Sequence, residues 1–327
     1  MHLCLLYRNG TSSSVKRIND RYESVGYPPA PLYFFTRYLV GLLILIKSAA
    51  GNVANRDAYR STWANRKYLA RFDVPIVHAF LIGTGQYGGP VPAKLQRESS
   101  KYRDIIFEDF VETYRNNTYK TLGGLKWALQ LGPDFEFLLM IDDDIYFSLP
   151  RAVQLLKAPH IFNISRANDI ALATSKFGFQ ISPEARFFAG SKTRSEPVRN
   201  PSWKDYYVTW DEYPLAVFPE YIPGMTTFYS RAAVREIYAA SLYVKHLAVD
   251  DVYVGIIAAK LGIPIADLSE YVITDPFLDV WFPLPEVGSE EELISRHFAG
   301  NVTLQLSVWR QMHEQRVRNV VHSTVMK

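Results

Sequence analysis

The stretch FEFLLMIDDDIYF, residues 135–147, sets three adjacent aspartates directly after an apolar run. Such a run is typical of a strand that is buried on both faces of a mainly parallel sheet. Three neighbouring carboxylates repel one another, so Asp142, Asp143 and Asp144 do not belong in a core. We therefore expect them just beyond the carboxyl end of the strand, which is where open α/β sheets bind their ligands.

The chain before the aspartates alternates short apolar runs with segments of helical spacing. The runs at residues 39–46, 74–82 and 104–107 predict buried strands, whereas residues 52–71 and 117–131 predict helices. This alternation is typical of βαβ units, and it predicts an α/β fold with a mostly parallel sheet and helices on both faces. Trp63 and Leu125 are expected to be core residues beneath the site.

The pattern after the aspartates is looser. Residues 176–225 are rich in aromatic residues, proline and charge, which indicates loops and short antiparallel strands. Two helices are expected to follow. The first has Ser230 as its N-cap and ends near residue 241, and the second begins at Asp250 and ends before Gly262, a C-terminal glycine.

The composition limits the class of protein. The 327-residue chain has 36 basic and 33 acidic residues, a formal net charge of +3. This balance, without a basic run, argues against nucleic acid as a partner. Hydrophobic residues make up 48% of the chain, which excludes a wholly disordered protein, and the aromatic share of 14% suits both a large core and the stacking of sugar rings.

Cysteine content and sequons give opposing indications of the compartment. Cys4 is the only cysteine, so the chain cannot form an intramolecular disulfide, which points mildly to a reducing compartment. Four N-x-S/T sequons point instead to a secretory lumen. They begin at Asn9, Asn116, Asn163 and Asn301, of which the last three are taken as candidate glycosylation sites. No apolar stretch reaches the roughly 18 to 20 residues that span a bilayer, and no signal peptide is recognisable.

The aspartate triplet is a candidate metal site. Carboxylate oxygens are hard ligands that suit Mn²⁺ or Mg²⁺, and these ions also take oxygens from phosphates. An ion that joins an aspartate to a diphosphate would stabilise the charge that grows on a nucleotide leaving group. The alternative is an acidic turn that merely ends the strand. The apolar strand before the triplet and Ile145, Tyr146 and Phe147 after it favour the functional interpretation.

The segment VDDVYVGIIAAKLGI, residues 249–263, is a second acidic motif, in which Asp250 and Asp251 open a helix. An aspartate at a helix start is often only a cap. The functional interpretation makes one carboxylate the cap and the other a general base that takes the proton from an acceptor hydroxyl. We expect Asp251 to be the base and Asp250 the cap, but helical spacing leaves the reverse order open.

Five motifs in one order resemble the beta-1,3-galactosyltransferase and beta-1,3-N-acetylglucosaminyltransferase family of inverting Golgi enzymes. The first is a strand followed by an R-x-x-x-R-x-x-W helix, and the second is similar to the family's D-I-I-x-x-D-F-x-D-x-Y-x-N-L-T-x-K-T segment. The aspartate triplet, DEYPLAVFPEY at residues 211–221 and VDDVYVGI at residues 249–256 complete the series. The last motif looks closest to the brainiac-like branch. The resemblance implies a GT-A type fold, inversion at the anomeric carbon and a β1→3 linkage.

The resemblance also implies a role for each candidate residue. Asp144 would bind the metal, Asp142 and Asp143 would meet the ribose and the donor, and Asp251 would be the base. His297 matches a C-terminal histidine that contacts the metal or the diphosphate in related folds. The other candidates for donor binding are Arg56, Arg60 and Lys120.

Partners, location and domain limits follow from the same resemblance. The donor is expected to be UDP-galactose or UDP-N-acetylglucosamine, and the acceptor a glycan of a glycolipid or glycoprotein. The enzyme is expected in the Golgi lumen, with a membrane anchor that this sequence does not display. We expect a flexible leader over residues 1–38 and a transferase domain over residues 39–310. Within that domain residues 39–147 would bind the nucleotide and residues 148–310 the acceptor, and residues 311–327 would form a tail.

Two places depart from the family pattern. Tyr206 stands where the family usually has a tryptophan, seven residues before the tyrosine of E-Y-P, and Met225 and Thr226 replace small residues. Both places are where the donor sugar or the acceptor would pack, so the substrate stays open. Two rival interpretations also stay open: a catalytically silent family member that binds a sugar or a partner, and a cytoplasmic metal-dependent phosphohydrolase with the same carboxylates.

Overall fold

Two sheets organise the chain. The computed structural model describes residues 39–84, 91–164, 173–274, 293–298 and 300–312. The strands in these residues are β1 (Leu39–Lys47), β2 (Ile76–Gly83), β3 (Ile105–Glu108), β4 (Asp134–Asp142), β5 (Ile145–Phe147), β6 (Phe188–Gly190), β7 (Thr226–Ser230), β8 (Ala266–Asp267), β9 (Val272–Ile273) and β10 (Ser295–His297). The larger sheet has the order β3-β2-β1-β4-β7-β6-β8, and the smaller has the order β5-β10-β9.

The strands around the aspartates run parallel. β1 lies between β2 and β4 and is parallel to both, and β2 pairs in parallel with β3. β7 is antiparallel to both β4 and β6. The prediction of a mostly parallel sheet is therefore confirmed, and the carboxyl ends of β1 to β4 meet at one edge of the sheet.

Helices cover both faces of the larger sheet, as predicted. They are α1 (Val53–Ser61), α2 (Arg66–Leu69), α3 (Ala93–Tyr102), α4 (Asn117–Gln130), α5 (Leu149–Lys157), α6 (Arg231–Ser241), α7 (Asp250–Leu261) and α8, residues 302–312. Because side chains of a strand alternate between faces, Leu42, Ile44 and Ile46 pack in one apolar cluster with α1 and α5. Leu43 and Leu45 pack in the other cluster with α4, α6 and α7.

The ends of the helices follow local side-chain chemistry. The helix predicted over residues 52–71 is broken between α1 and α2, because Thr62 donates to the carbonyl of Ala58 at 2.7 Å and Asn65 accepts from the amide of Lys67 at 2.9 Å. The predicted cap at Ser230 is confirmed, since its hydroxyl accepts from the amide of Ala233. Gly262 ends α7 in the left-handed conformation, with φ of 65°, as predicted.

The smaller sheet brings a distant segment to the aspartates. β10 pairs antiparallel with β5, and the register sets His297 opposite Ile145. Behind this pair α8 packs against the same strand, because Gln305 donates from Nε2 to the carbonyl of Ile145 at 2.6 Å. Residues far apart in sequence therefore meet at the turn that carries the aspartates.

The predicted core positions are confirmed. Trp63 is 1% exposed and Leu125 is fully buried. The ring of Trp63 lies 5.0 Å from that of Phe147, the last residue of β5, so it packs beneath the aspartate turn. Within the described ranges, no helix has both the length and the apolar character that crossing a membrane requires. The predicted leader and most of the predicted tail lie outside the described residues.

Candidate active site

The three aspartates occupy the turn between β4 and β5. The hydroxyl of Tyr59, on α1, lies 2.8 Å from the carbonyl oxygen of Asp142 and 2.9 Å from that of Ile145. Burial and the charge of Asp143 raise the pKa of Tyr59 well above its ordinary value, so the hydroxyl keeps its proton. Tyr59 and Gln305 therefore hold the backbone of the turn from two sides.

Asp143 is the buried member of the triplet, at 5% exposure. Ser48 donates to its carboxylate at 2.5 Å, and Asn52 contacts both oxygens at 3.1 and 3.3 Å. Burial raises the pKa of Asp143 to about 6, because these hydrogen bonds offset only part of its effect. Asp143 thus anchors the turn to the loop after β1, and the geometry does not support its predicted direct contact with a donor.

Lys47, the last residue of β1, joins the two acidic motifs. Its Nζ lies 3.0 Å from Oδ1 of Asp142 and 3.4 Å from Oδ2 of Asp250. Burial acts to lower the pKa of Lys47, but the carboxylates of Asp142 and Asp250 outweigh it and raise the pKa above its ordinary value. A permanent positive charge therefore lies between the triplet and the Asp250–Asp251 pair.

Asp250 and Asp251 begin α7 and have different environments. Burial acts to raise the pKa of Asp250, but the charge of Lys47 and a 2.7 Å hydrogen bond from Thr121 lower it below its ordinary value. Burial and the negative charge of Asp250 raise the pKa of Asp251 to about 7. A carboxylate that exchanges its proton near neutral pH suits general base catalysis.

The predicted capping role of Asp250 is wrong. The N-cap of α7 is Val249, which makes no side-chain capping bond, and Asp250 bonds to Lys47 and Thr121 instead. The carboxylate of Asp251 accepts from the next amide along the chain, that of Val252, at 2.7 Å. The cause is long-range, because β1 and α4 supply a cation and a hydroxyl that compete with the local amides for Asp250.

A small cavity lies beside the Asp250–Asp251 pair. Gly224 borders it, and a Cβ at this position would come 2.9 Å from Nζ of Lys47 and 3.8 Å from Asp250. A larger residue there would therefore press on the Lys47 bridge. The cavity is lined by Lys47, Thr121, Met140, Phe188, Ile222, Gly224, Thr227, Tyr229, Asp250, Asp251 and Val254.

Asp144 and His297 are the residues that fit a metal ion. Pairing of β5 with β10 sets Nε2 of His297 3.3 Å from Oδ2 of Asp144, and this contact raises the pKa of His297. The side chain of His297 is 19% exposed and that of Asp144 is 27% exposed. Mn²⁺ accepts both imidazole nitrogen and carboxylate oxygen as ligands. Among the described residues no group of three or more His, Cys, Asp or Glu side chains forms a metal site.

Arg56 and Arg60 are engaged inside the protein, and this geometry does not support their predicted contact with the donor. Arg56 is fully buried, pairs with Glu98 at 2.7 Å and donates to the carbonyl of Ala49 at 2.6 Å. Arg60 pairs with Glu98 and Asp104, each at 2.8 Å. The two guanidinium groups therefore fix α1 against α3 and hold the loop after β1.

Lys120 is also turned inward. It is 3% exposed, and its Nζ donates to the carbonyl of Ser48 at 2.6 Å and pairs with Glu112 at 2.6 Å. Ser48 is the residue whose hydroxyl bonds to Asp143. Lys120 thus supports the loop that anchors the triplet, and its predicted direct contact with the donor is not supported.

Sequence reasoning missed Lys47, Thr121 and Tyr59. A lysine that ends the apolar run LVGLLILIK is a signal for Lys47, because a charge at the end of a buried strand requires a partner there. Thr121 and Tyr59 carry no local signal. Their partners in the site lie 129 and 83 residues away along the chain.

The candidate glycosylation sites differ in accessibility. Asn163 and Asn301 are exposed. Asn116 is half-buried and donates to the carbonyl of Val111 at 2.7 Å, and Thr118 of the same sequon is buried and donates to the carbonyl of Leu247. This geometry argues against a glycan on Asn116. Asn9 lies outside the described residues.

The residues that depart from the family pattern lie in two settings. Met225 packs against the core, and its carbonyl accepts from the amide of Asp142 at 3.2 Å, so it lies directly beside the site. Thr226 is fully buried. Tyr206 is instead 43% exposed, and its ring lies 5.0 Å from that of Tyr114.

A family model described as galactosyltransferase matches residues 54–269. The chain is 31% identical over 271 residues to the Drosophila melanogaster protein named Beta-1,3-galactosyltransferase brn, a match that covers 83% of this chain and 74% of that protein. It is 31% identical over 227 residues to the Homo sapiens Lactosylceramide 1,3-N-acetyl-beta-D-glucosaminyltransferase, covering 68% of this chain and 54% of that protein. The chain thus spans between about half and three quarters of these relatives.

Solved structures of sugar-transferring enzymes are also similar. The galactosyltransferase LgtC in complex with donor and acceptor sugar analogs aligns with a TM-score of 0.39 and 11% identity, over 84% of this chain and 95% of that one. Mouse xyloside xylosyltransferase 1 aligns with a TM-score of 0.38 and 12% identity, over 81% of this chain and 99% of that one.

Proposed function

The chain belongs to the galactosyltransferase family, and from this premise we propose that it transfers a hexose from a UDP-sugar to a sugar hydroxyl. The hexose is galactose or N-acetylglucosamine, the linkage is β1→3 and the anomeric configuration inverts. The observation that carries the proposal is the Lys47 bridge, which holds the aspartate triplet on one side and the Asp250–Asp251 pair on the other. A donor at the triplet and an acceptor at the pair meet between them.

The donor side consists of the turn after β4 and the end of β10. Asp144 and His297 would hold a Mn²⁺ or Mg²⁺ ion together with the diphosphate of the donor. When bound, the ion would stabilise the negative charge that grows on UDP as it leaves. Asp142 lies beside Lys47, where it can meet the donor, and Asp143 keeps the turn in place through Ser48.

The acceptor side contains the general base, Asp251. Its carboxylate takes the proton of the acceptor hydroxyl while the oxygen of that hydroxyl bonds to the anomeric carbon. The bond from the anomeric carbon to the β-phosphate oxygen breaks, and UDP leaves with its electron pair. One in-line displacement inverts the configuration. Asp250 stays charged beside Lys47 and Thr121, and this charge helps to keep the pKa of Asp251 near neutral.

In this proposal the two halves of the chain bind different substrates. Residues 39–147 form the donor half and residues 148–310 the acceptor half, and the second half reaches the first through His297 and Asp250. We place the enzyme in the Golgi lumen, a location that the exposed sequon residues Asn163 and Asn301 support. Because several relatives are named for transfer to lactosylceramide, we propose a lipid-linked glycan as the acceptor.

A transfer assay tests the proposal. UDP-galactose and UDP-N-acetylglucosamine are each offered with lactosylceramide or free lactose, in Mn²⁺ and in EDTA, and the linkage of the product is determined. We expect transfer from one donor in Mn²⁺, a β1→3 product, and loss of transfer in EDTA. Hydrolysis of the UDP-sugar without transfer would instead identify a hydrolase. Binding of the UDP-sugar with neither reaction would identify a silent family member.

A further inference from the structure

Large exposed apolar side chains are concentrated in two segments of the chain. Eight occur among the described residues, and six of these lie in two segments, residues 111–114 and 203–215. Leu131 and Ile161 are the two outside these segments. Apolar side chains gathered in one place mark a surface that another apolar body covers. We name the six the rim patch; they are Val111, Tyr114, Trp203, Tyr206, Trp210 and Leu215.

The two segments of the rim patch are joined to each other. The rings of Tyr114 and Tyr206 lie 5.0 Å apart. Arg115, the neighbour of Tyr114, donates to the carbonyl of Tyr207 at 2.8 Å and pairs with Glu212 at 3.2 Å. The patch is therefore one folded surface and not two separate loops.

A hydrogen bond to the backbone holds the outer part of the rim patch in a solvent-exposed position. Arg199 donates to the carbonyl of Leu215 at 3.0 Å and lies 3.9 Å over the ring of Trp210. Even so, Trp203, Trp210 and Leu215 remain 62%, 60% and 60% exposed. Two tryptophans and a leucine at such exposure are costly in water, so a contact that covers them is favourable.

The patch borders the proposed base. Lys245, on the segment that leads into α7, donates to the carbonyl of Asp211 at 2.7 Å and so ties residues 203–215 to the helix that begins with Asp250 and Asp251. Burial and the neighbouring Tyr206 raise the pKa of Tyr114, and the charges of Asp251 and Asp250 add smaller contributions. Whatever covers the patch therefore lies where an acceptor enters.

The balance of charged residues near the rim patch indicates which kind of apolar partner it binds. Residues 199–215 carry the basic residues Arg199 and Lys204 and the acidic residues Asp205, Asp211 and Glu212. This near balance offers no attraction to anionic phosphate. Tryptophan and tyrosine, which have an apolar ring and a polar group, are enriched where a bilayer meets water.

We propose that the rim patch docks on a lipid membrane, so that the sugar headgroup of a membrane glycolipid enters the site from the bilayer surface. The inference rests on the proposed function and its lipid-linked acceptor. Trp203, Trp210 and Leu215 enter the interface, and Tyr114 and Tyr206 lie between the lipid and Asp251. Docking then concentrates the enzyme on the surface that displays its acceptor.

Vesicle flotation tests the docking directly. Wild type, the triple variant W203S/W210S/L215S and the matched control L131S/I161S are each floated with phosphatidylcholine vesicles. We expect the wild type and the control to float, and the triple variant to lose bound protein by about tenfold or more. Failure of the wild type to float, equal flotation of the triple variant, or equal loss in the control would each overturn the proposal. Thermal midpoints report folding, and the single variants W203S and L215S replace the triple variant if it unfolds.

Kinetics separate a lipid surface from a sugar-binding platform. We expect the triple variant to raise the KM for lactosylceramide in vesicles by about tenfold and to leave the KM for free lactose unchanged. An equal loss with both acceptors would show that the patch binds sugar rings, which overturns membrane docking. If the wild type transfers to neither acceptor, the proposed function fails, and the flotation result still decides whether this surface binds membranes.

Discussion

Two neighbouring aspartates with opposite pKa shifts mark the acceptor side of the site. Lys47 and Thr121 keep Asp250 ionised, and the charge of Asp250 in turn adds to burial in raising the pKa of Asp251 to about 7. A pair of carboxyl groups whose environments move their pKa values apart is a common arrangement for assigning separate roles. In the proposed function, Asp250 supports the site and Asp251 transfers the proton.

Replacing the base separates these roles. Asp251→Asn is expected to lower turnover by roughly 10² to 10⁴-fold, because an amide cannot take up the proton. Affinity for UDP should hardly change, since the proposed metal and diphosphate contacts lie at Asp144 and His297. Asp250→Asn is the control and should reduce turnover by less than about tenfold. Turnover and UDP affinity are measured for both variants. Full turnover in Asp251→Asn would contradict the assignment of the general base to this residue.

The pH profile reports the same residue. Only the ionised form of Asp251 accepts a proton, so kcat/KM should rise with pH through about 7 and level off above it. Asp250→Asn removes a negative charge that holds the proton on Asp251, so its inflection should move to lower pH. The profile is measured between pH 5 and 9 in both proteins at saturating Mn²⁺. A flat wild-type profile, or a shift to higher pH in the variant, contradicts the assignment.

Asp144 is the residue on which metal binding should depend. We expect Asp144→Asn to abolish Mn²⁺-dependent transfer and to weaken Mn²⁺ binding measured by electron paramagnetic resonance, because an amide lacks the charge the ion requires. Asp134→Asn is the control, because it removes an exposed carboxylate at the other end of β4. It should change neither transfer nor Mn²⁺ binding. Thermal midpoints confirm that both variants fold. Undiminished Mn²⁺ binding in Asp144→Asn would mean that the ion is held elsewhere.

At the scale of elements, the site is a junction between β4, α1 and α8. The turn after β4 carries the triplet, Tyr59 holds it from α1, and Gln305 holds it from α8. The loop after β1 is held in the same way by Arg56 and Lys120. Residues that do not touch a donor thus decide how firmly the triplet is placed.

Removing one hydroxyl tests this support. Tyr59→Phe leaves the ring packed but deprives the turn of a donor, which should cost roughly 1 to 3 kcal/mol of stability and raise the Mn²⁺ concentration for half-maximal binding several-fold. Tyr253→Phe is matched, because the Tyr253 hydroxyl also bonds to two carbonyls, those of Ser241 and Val244, away from the triplet. It should lose similar stability but keep its Mn²⁺ affinity. Equal Mn²⁺ affinities in the two variants would limit Tyr59 to a structural role.

At the scale of the whole molecule, one sheet divides two cores. Leu125 belongs to the core on the side of α4, α6 and α7, and it is fully buried. Leu125→Ala is expected to cost roughly 2 to 5 kcal/mol in chemical unfolding, because it leaves a cavity in close-packed surroundings. Leu131→Ala, at a position that is 43% exposed, should stay within about 0.5 kcal/mol of wild type. Wild-type stability with selective loss of UDP binding in Leu125→Ala would reveal a ligand contact in place of packing.

The sheet could be predicted from sequence because its signals are local. Residues of β1 and β4 are mostly apolar, since both faces of these strands are buried. Motif and position predict Asp144 and Asp251 as site residues. The burial of Arg56 could not be predicted in this way, because a motif shows that a guanidinium group is present, but its partner Glu98 lies 42 residues away on another helix. Contacts of that range decide whether a charge faces a ligand or the interior.

The pairing of β5 with β10 has a consequence for biosynthesis. Asp144 and His297 are separated by 153 residues. At about 5 to 20 residues per second, a ribosome needs roughly 8 to 30 s to travel that distance. The parallel strands β1 to β4 emerge first and can assemble while His297 has not been made. The nascent chain can therefore display a paired sheet edge before His297 joins the proposed cation site, and the proposed transfer requires that translation has passed β10.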